Sequence, residues 1–396
     1  AGVPIVVKEE YDVTGDVTTL GGAGNSTPRT ADSEVVRRLR AAGAVIVGRT
    51  TMPEFGQFPF TESVATGVTR NPFDLDRSPG GSSGGSAVAV ATGTVPVALG
   101  ADGGGSIRIP ASACGLVGLK PTRGCISVAP LSQHWYGLVV LGGMSRSVRD
   151  SALLLDVISG STPVDRWSVP PPREPFAAVA AREPGTLRIA WSTKCVTPGV
   201  DTDPEITAAT EQVARALVRL GHRVHRTAPR WPVATDAFLP QFYGGMAAEA
   251  GQVEHPERLE PRTRQTARLA RWATPRVVER AIRRGERVAA AVDARLLTDA
   301  DVFLLPTMPK LPPPVGLLDG MDAVRAQVAT LPYVANTVLT NVSGHPALAL
   351  PAGLSASGLP IGVQLIARRG EEGLLLAIAA QIEASRPDFW PGVATP

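Results

Sequence analysis

Pro79-Gly80-Gly81-Ser82-Ser83-Gly84-Gly85-Ser86-Ala87 and Gly100-Ala101-Asp102-Gly103-Gly104-Gly105-Ser106-Ile107-Arg108-Ile109-Pro110 frame the reading of this chain. Between the two Gly/Ser loops lie a small-residue segment, Ser86 to Thr92, that reads as a helix, and an apolar run, Val95 to Leu99, that reads as a strand. Ordered, apolar sequence between the loops argues against a flexible linker. Glycine lets a backbone take positive φ and approach another group closely. Two such loops together predict a place where main-chain N–H groups converge, as an oxyanion needs. A serine hydroxyl there is inert until a base removes its proton. A pair of serine-capped tight turns explains the same composition equally well.

Further blocks narrow the choice. Gly2-Val3-Pro4-Ile5-Val6-Val7-Lys8 opens the chain, and Gly48-Arg49-Thr50-Thr51-Met52-Pro53-Glu54-Phe55 follows. Cys114-Gly115-Leu116-Val117-Gly118-Leu119-Lys120-Pro121-Thr122-Arg123-Gly124 comes after the second loop. Asn341 to Gln364 contains Gly344, Pro346, Pro351 and Gly358-Leu359-Pro360-Ile361-Gly362-Val363-Gln364. Together with the two loops, in this order, these blocks resemble the amidase signature family over nearly the whole chain.

The resemblance implies an α/β fold in which helices cover both faces of a central mixed β-sheet. It implies a single domain over 1–396, with a signature core over about 1–160. A Pro-rich surface connection over 161–186 and a C-terminal part over 187–396 complete it. It also implies a Ser–Ser–Lys triad. Matched motif by motif, the nucleophile falls on Ser106, the bridging serine on Ser82 and the lysine on Lys8. In this family the peptide bond before the bridging serine is cis. Main-chain amides of Gly103, Gly104, Gly105 and Ser106 would hold the oxyanion, and Gly56 is a candidate substrate contact. The implied reaction is hydrolysis of a small-molecule amide through an acyl-enzyme on Ser106. The alternatives are a tRNA-dependent amidotransferase subunit of the same family and an inactive binding protein on the amidase scaffold. Relatives of this type carry a helical segment before the lysine motif that can cover the substrate funnel or build a homodimer; here seven residues precede Lys8. The chain departs from the family pattern at Ala101, Gly103, Arg49-Thr50-Thr51 and Ser343, none of which is a triad position.

The residues read on their own agree. Val3 to Val7 is a buried strand by its β-branched content. By itself, Lys8 at its end is best read as a surface lysine whose stem snorkels. Beside serines, a buried lysine can instead act as a general base. No histidine lies near either loop in sequence, and the next downstream is His134. A serine hydroxyl is both donor and acceptor, so Ser82 can pass a proton between Ser106 and Lys8. Asp102 and Ser83 read as braces of the loops, and Arg108 as a brace bonded to carbonyls. The glycines lack dinucleotide spacing and a P-loop ending, and no cofactor or metal is expected.

Bulk properties leave this intact. The chain has 396 residues, enough for a sizeable core, and a formal net charge of +3 that names no partner. Cys114, Cys125 and Cys195 have no metal-ligand spacing, and an odd count does not build a disulfide framework. A reducing, cytoplasmic setting is expected, with no membrane span and no nucleic acid. The arginine-rich stretch 256–296 has interleaved Glu260, Glu279, Glu286 and Asp293, which reads as a solvated helical face. His222 and His225 are expected as half-exposed strand residues. The pocket walls are expected around His134 to Leu138 and Phe242 to Met246.

Overall fold

Short β-branched runs alternate with amphipathic helices along this chain, and the computed structural model, which describes residues 2–394, assembles the runs into one sheet. The strands are β1 (Pro4–Lys8), β2 (Val45–Thr50), β3 (Glu62–Ser63), β4 (Gly67–Val68), β5 (Val97–Asp102) and β6 (Val117–Lys120). After them come β7 (Val140–Ser145), β8 (Arg188–Trp191), β9 (Arg223–Arg226), β10 (Val302–Pro306), β11 (Ala347–Leu354) and β12 (Pro360–Ile366). The ten-stranded sheet has the order β2-β1-β5-β7-β6-β11-β12-β10-β8-β9, and β3 and β4 form a separate small pair. β1 runs parallel to β2 and β5, and β8 parallel to β10 and β9; the middle pairings from β5 to β10 are antiparallel.

Central position explains composition. β10 and β12 are buried along their whole length. Strands covered on both faces read as unbroken apolar runs, as Val302 to Leu305 does. β6 pairs with β11, so the sheet draws strands from both sides of the Pro-rich connection. Helices flank it: Arg108–Ala113 packs on β6, β11 and β12, and Pro204–Arg219 on β10, β11 and β12. At the β2 edge Val45 and Val47 are exposed. The arginine-rich stretch forms the helices Pro261–Leu269 and Pro275–Leu296. The longer one buries Val278, Ile282, Val288 and Val292 and leaves its charged residues on the outer side. Among the described residues no helix is long and apolar enough to cross a membrane.

Several boundaries differ from expectation. The strand expected at Val95–Leu99 runs from Val97 to Asp102, because Gly100, Ala101 and Asp102 continue the ladder opposite Gly142, Leu141 and Val140. The second glycine loop therefore begins at Gly103. The small-residue helix starts at Gly84 rather than Ser86. The Pro-rich connection contains a short helix, Phe176–Ala180, whose Ala177 N–H donates to Asp156 Oδ2 at 3.0 Å. His225 is exposed, but His222 is buried, with its ring nitrogens 3.2 Å from Leu187 N and 3.0 Å from Gln381 Oε1. The Leu187 amide explains the burial, since His222 Nδ1 is its acceptor.

His345 ties the C-terminal half together. It is fully buried, with Nδ1 3.0 Å from Ser343 Oγ and Nε2 3.1 Å from Asp293 Oδ1 of the long helix. Burial pushes its imidazole down to about 4, against the pull of Asp293. The folded chain thus keeps His345 neutral while the unfolded chain takes up a proton below about pH 6.5. The stability this contributes is present above pH 6.5 and is lost as pH falls towards 4. Thermal and urea unfolding should show the wild type losing about 3 kcal/mol more than His345→Gln between those two pH values.

Candidate active site

Lys8, at the buried end of β1, extends its side chain to the first Gly/Ser loop. Its Nζ donates to Ser82 Oγ at 2.8 Å and lies 3.1 Å from Glu10 Oε1. Lys8 and Ser82 are both buried, so the snorkelling alternative is excluded for Lys8. The Gly81–Ser82 peptide bond is cis, as the resemblance implied. Ser83 N–H donates to the Ser106 carbonyl at 3.2 Å, which ties the two loops together next to Ser82. Gly56, at φ 68°, lies so close that a Cβ there would stand 2.9 Å from Ser82 Oγ. Only glycine has both the conformation and the room.

The second loop is held by a buried ion pair. Arg108 Nε and Nη2 donate to the two Asp102 carboxylate oxygens at 2.9 Å each. The other carboxylate partners are the backbone amides of Gly105 at 2.7 Å, Ile107 at 3.2 Å and Arg108 at 3.4 Å, and Asn341 Nδ2 at 2.8 Å. Burial alone would raise the Asp102 carboxyl, but Arg108 and Asn341 hold it well below the usual carboxylate range. Arg108 also donates to Thr340 Oγ1 at 2.7 Å, Asn341 Oδ1 at 2.7 Å and Gln364 Oε1 at 3.0 Å. It braces the loop as expected, through the side-chain carbonyls of Asn341 and Gln364 together with the Thr340 hydroxyl and the Asp102 carboxylate. The Asn341 and Gln364 contacts give the C-terminal block a physical role at the site.

This bracing corrects the donor set. The Gly105 amide is spent on Asp102, so it is not free for an oxyanion. The amides of Gly103, Gly104 and Ser106 donate to no protein acceptor among the described residues. Thr337 Oγ1 donates to the Gly104 carbonyl and fixes that peptide's orientation. Ser106 is partly accessible, and its hydroxyl enters no protein hydrogen bond among the described residues. It opens into a cleft with about 460 Å³ of empty space, lined by Gly56, Gly104, Ile109, Trp135, Phe238 and Phe242 among others. Trp135 and Phe242 come from the two segments expected to supply pocket walls; they meet edge to face at 5.3 Å.

Sequence reasoning missed several neighbours. Glu10 stands two residues beyond Lys8, a spacing that could have flagged a shared side of the chain. His134 lies away from the cleft, paired with Glu249 at 2.8 Å. Burial opposes its charging, but the Glu249 carboxylate outweighs burial and raises the imidazole above its ordinary range. Lys120, fully buried near Asp102 and Arg108, is pushed well below the lysine range by burial and then by Arg108. Its Nζ donates to the Pro121 carbonyl at 2.9 Å. The cysteines are free and buried. Among the described residues no group of three or more His, Cys, Asp or Glu side chains is gathered as a metal site would need.

Comparison with known proteins agrees with this architecture. A family model described as Amidase matches residues 1–376. A protein called putative amidase AmiB2 from Mycobacterium tuberculosis is 47% identical over 388 residues, covering 98% of this chain and 82% of that protein. A 6-aminohexanoate-cyclic-dimer hydrolase from Paenarthrobacter ureafaciens is 41% identical over 413 residues, with coverage of 98% and 83%. A solved structure of 6-aminohexanoate cyclic dimer hydrolase superposes with a TM-score of 0.93 at 37% identity, covering 98% of this chain and 86% of that one. A bacterial aryl acylamidase of the amidase signature family superposes with a TM-score of 0.87 at 26% identity. With the family model matching residues 1–376 and relatives above 40% identical over 98% of its length, the chain belongs to the amidase signature family.

Proposed function

We propose that this chain hydrolyses the carbon–nitrogen bond of a small-molecule amide, with Ser106 as nucleophile, Ser82 as proton bridge and Lys8 as base. The observation that carries the reading is the 2.8 Å hydrogen bond from Lys8 Nζ to Ser82 Oγ, buried beside a loop whose Ser106 hydroxyl is unengaged. In its neutral form the Lys8 amine accepts a proton through the Ser82 hydroxyl as Ser106 Oγ attacks the carbonyl carbon. The carbonyl oxygen becomes an oxyanion facing the amides of Gly103, Gly104 and Ser106, each such donor being worth about 3–4 kcal/mol in barrier.

Collapse of this intermediate breaks the C–N bond. The relay returns the proton to the leaving nitrogen, so ammonia or an amine departs and an ester remains on Ser106. Water then attacks the ester, passes a proton back along the same path, and releases the carboxylate product. Asp102, Arg108 and Ser83 act by positioning. The apolar cleft walls favour an apolar acyl group, and the resemblance to the cyclic dimer hydrolase and the aryl acylamidase supports a non-peptide amide as substrate. A reducing, cytoplasmic setting belongs to this reading on the strength of the unpaired cysteines.

Release of aniline or ammonia from a panel of small aryl and alkyl amides tests the assignment. Ser106→Ala should have no turnover above background, and Ser82→Ala should lose about 10²–10⁴-fold in kcat. Both variants should melt within a few degrees of the wild type. Full activity in Ser106→Ala would remove the reading.

A further inference from the structure

The cleft beside Ser106 holds a side-chain amide that the catalytic reading leaves unused. Gln327 projects from the helix Ala323–Val334 and lines the cleft together with Ser106, Trp135, Phe238 and Val338. Gln327 is half-buried, and its Nε2 is buried with no hydrogen-bond partner among the described residues. The Trp135 indole Nε1 on the same wall is likewise buried without a partner among the described residues, whereas the side chains of Gln57 and Thr330 are spent within the protein. Gln57 Nε2 donates to Thr263 Oγ1 at 2.7 Å and its Oε1 accepts from Thr266 Oγ1 at 3.1 Å. Thr330 Oγ1 donates to the Gln327 backbone carbonyl at 2.8 Å. Phe58, Pro59, Ile109, Val334 and Val338 supply apolar wall.

A buried amide donor without an acceptor is unfavourable, and a ligand that supplies the acceptor recovers that loss. A site built around such a donor rejects ligands that lack the matching group far more strongly than an apolar wall rejects one methylene. We propose that Gln327 is a specificity-determining residue that hydrogen-bonds an oxygen acceptor on the acyl part of the substrate, away from the scissile amide. The substrate class is then an amide whose largely apolar acyl chain or ring carries a second carbonyl or ether oxygen. This inference rests on the amide-hydrolase reading for the position of the acyl group, and its test is chosen to be independent of turnover.

The test uses 4-nitroanilides of straight-chain acids of one length, with a ketone oxygen placed at successive carbons, beside the plain chain. Affinity is measured by isothermal titration with the Ser106→Ala protein, so that binding is read whether or not the wild type hydrolyses the compounds. One ketone position should bind at least about tenfold tighter than the plain chain. Adding Gln327→Leu should abolish that preference and leave plain-chain affinity within about threefold. Gln327→Glu, whose carboxylate accepts and does not donate, should turn the preference against the ketone. Equal affinity for all members, absence of binding by any of them, or a ketone preference that survives Gln327→Leu would overturn the proposal. Absence of hydrolysis by the wild type, with the binding preference intact, would instead count against the catalytic reading alone.

Discussion

The Asp102–Arg108 ion pair is the constraint on which the candidate site depends. Both side chains are fully buried, and neither charge could stay there alone. Removing one partner of such a pair strands the other, at a cost of about 3–5 kcal/mol. A buried ion pair is weak evidence for net stability, but it restricts shape. Here the carboxylate gathers the Gly105 and Ile107 amides, while the guanidinium reaches Thr340, Asn341 and Gln364. The loop is thereby folded around its own aspartate. The amides of Gly103, Gly104 and Ser106 are left over, and Gly104 and Ser106 border the cleft.

The same logic of close approach governs the first loop. A Cβ at Gly81 would fall 2.8 Å from the Phe60 amide nitrogen, and one at Gly85 2.6 Å from the Thr51 amide nitrogen. The block around Pro53 thus packs directly on the loop that carries Ser82. Lys8 reaches that loop from β1, which lies between β2 and β5. β1 delivers Lys8 and the neighbouring β5 ends at the second glycine loop, and the Lys8–Ser82 and Ser83–Ser106 hydrogen bonds tie both to the first loop. Catalytic function is carried by loops, and a rigid sheet sets where they stand.

Much of this was legible in the sequence. Lys8, Ser82 and Ser106 could be picked out through the family resemblance; read alone, the loops fit tight turns as well, and Lys8 fits a surface lysine. The β-branched run Val3 to Val7 located β1 to within a residue at each end. Strand ends were less legible: Gly100 and Ala101 look like loop residues, yet the ladder with β7 carries them. His222 illustrates tertiary override, since its burial is set by the amide of Leu187 on a different strand connection. The Gly105 amide could not be subtracted from the donor set without knowing which way Asp102 points. The cleft walls were only half legible. Trp135 and Phe242 fall in segments with no repeating pattern, and Gln327 sits on a helix whose polar residues look alike in sequence.

The central proposal is that Lys8, through Ser82, activates Ser106. Treating the protein with a fluorophosphonate, followed by intact mass and peptide mapping, measures this directly. A single adduct on Ser106, formed slowly or not at all in a folded Lys8→Met variant, is the predicted result. An adduct on another residue, or one on Ser106 that forms at the same rate without Lys8, would contradict it.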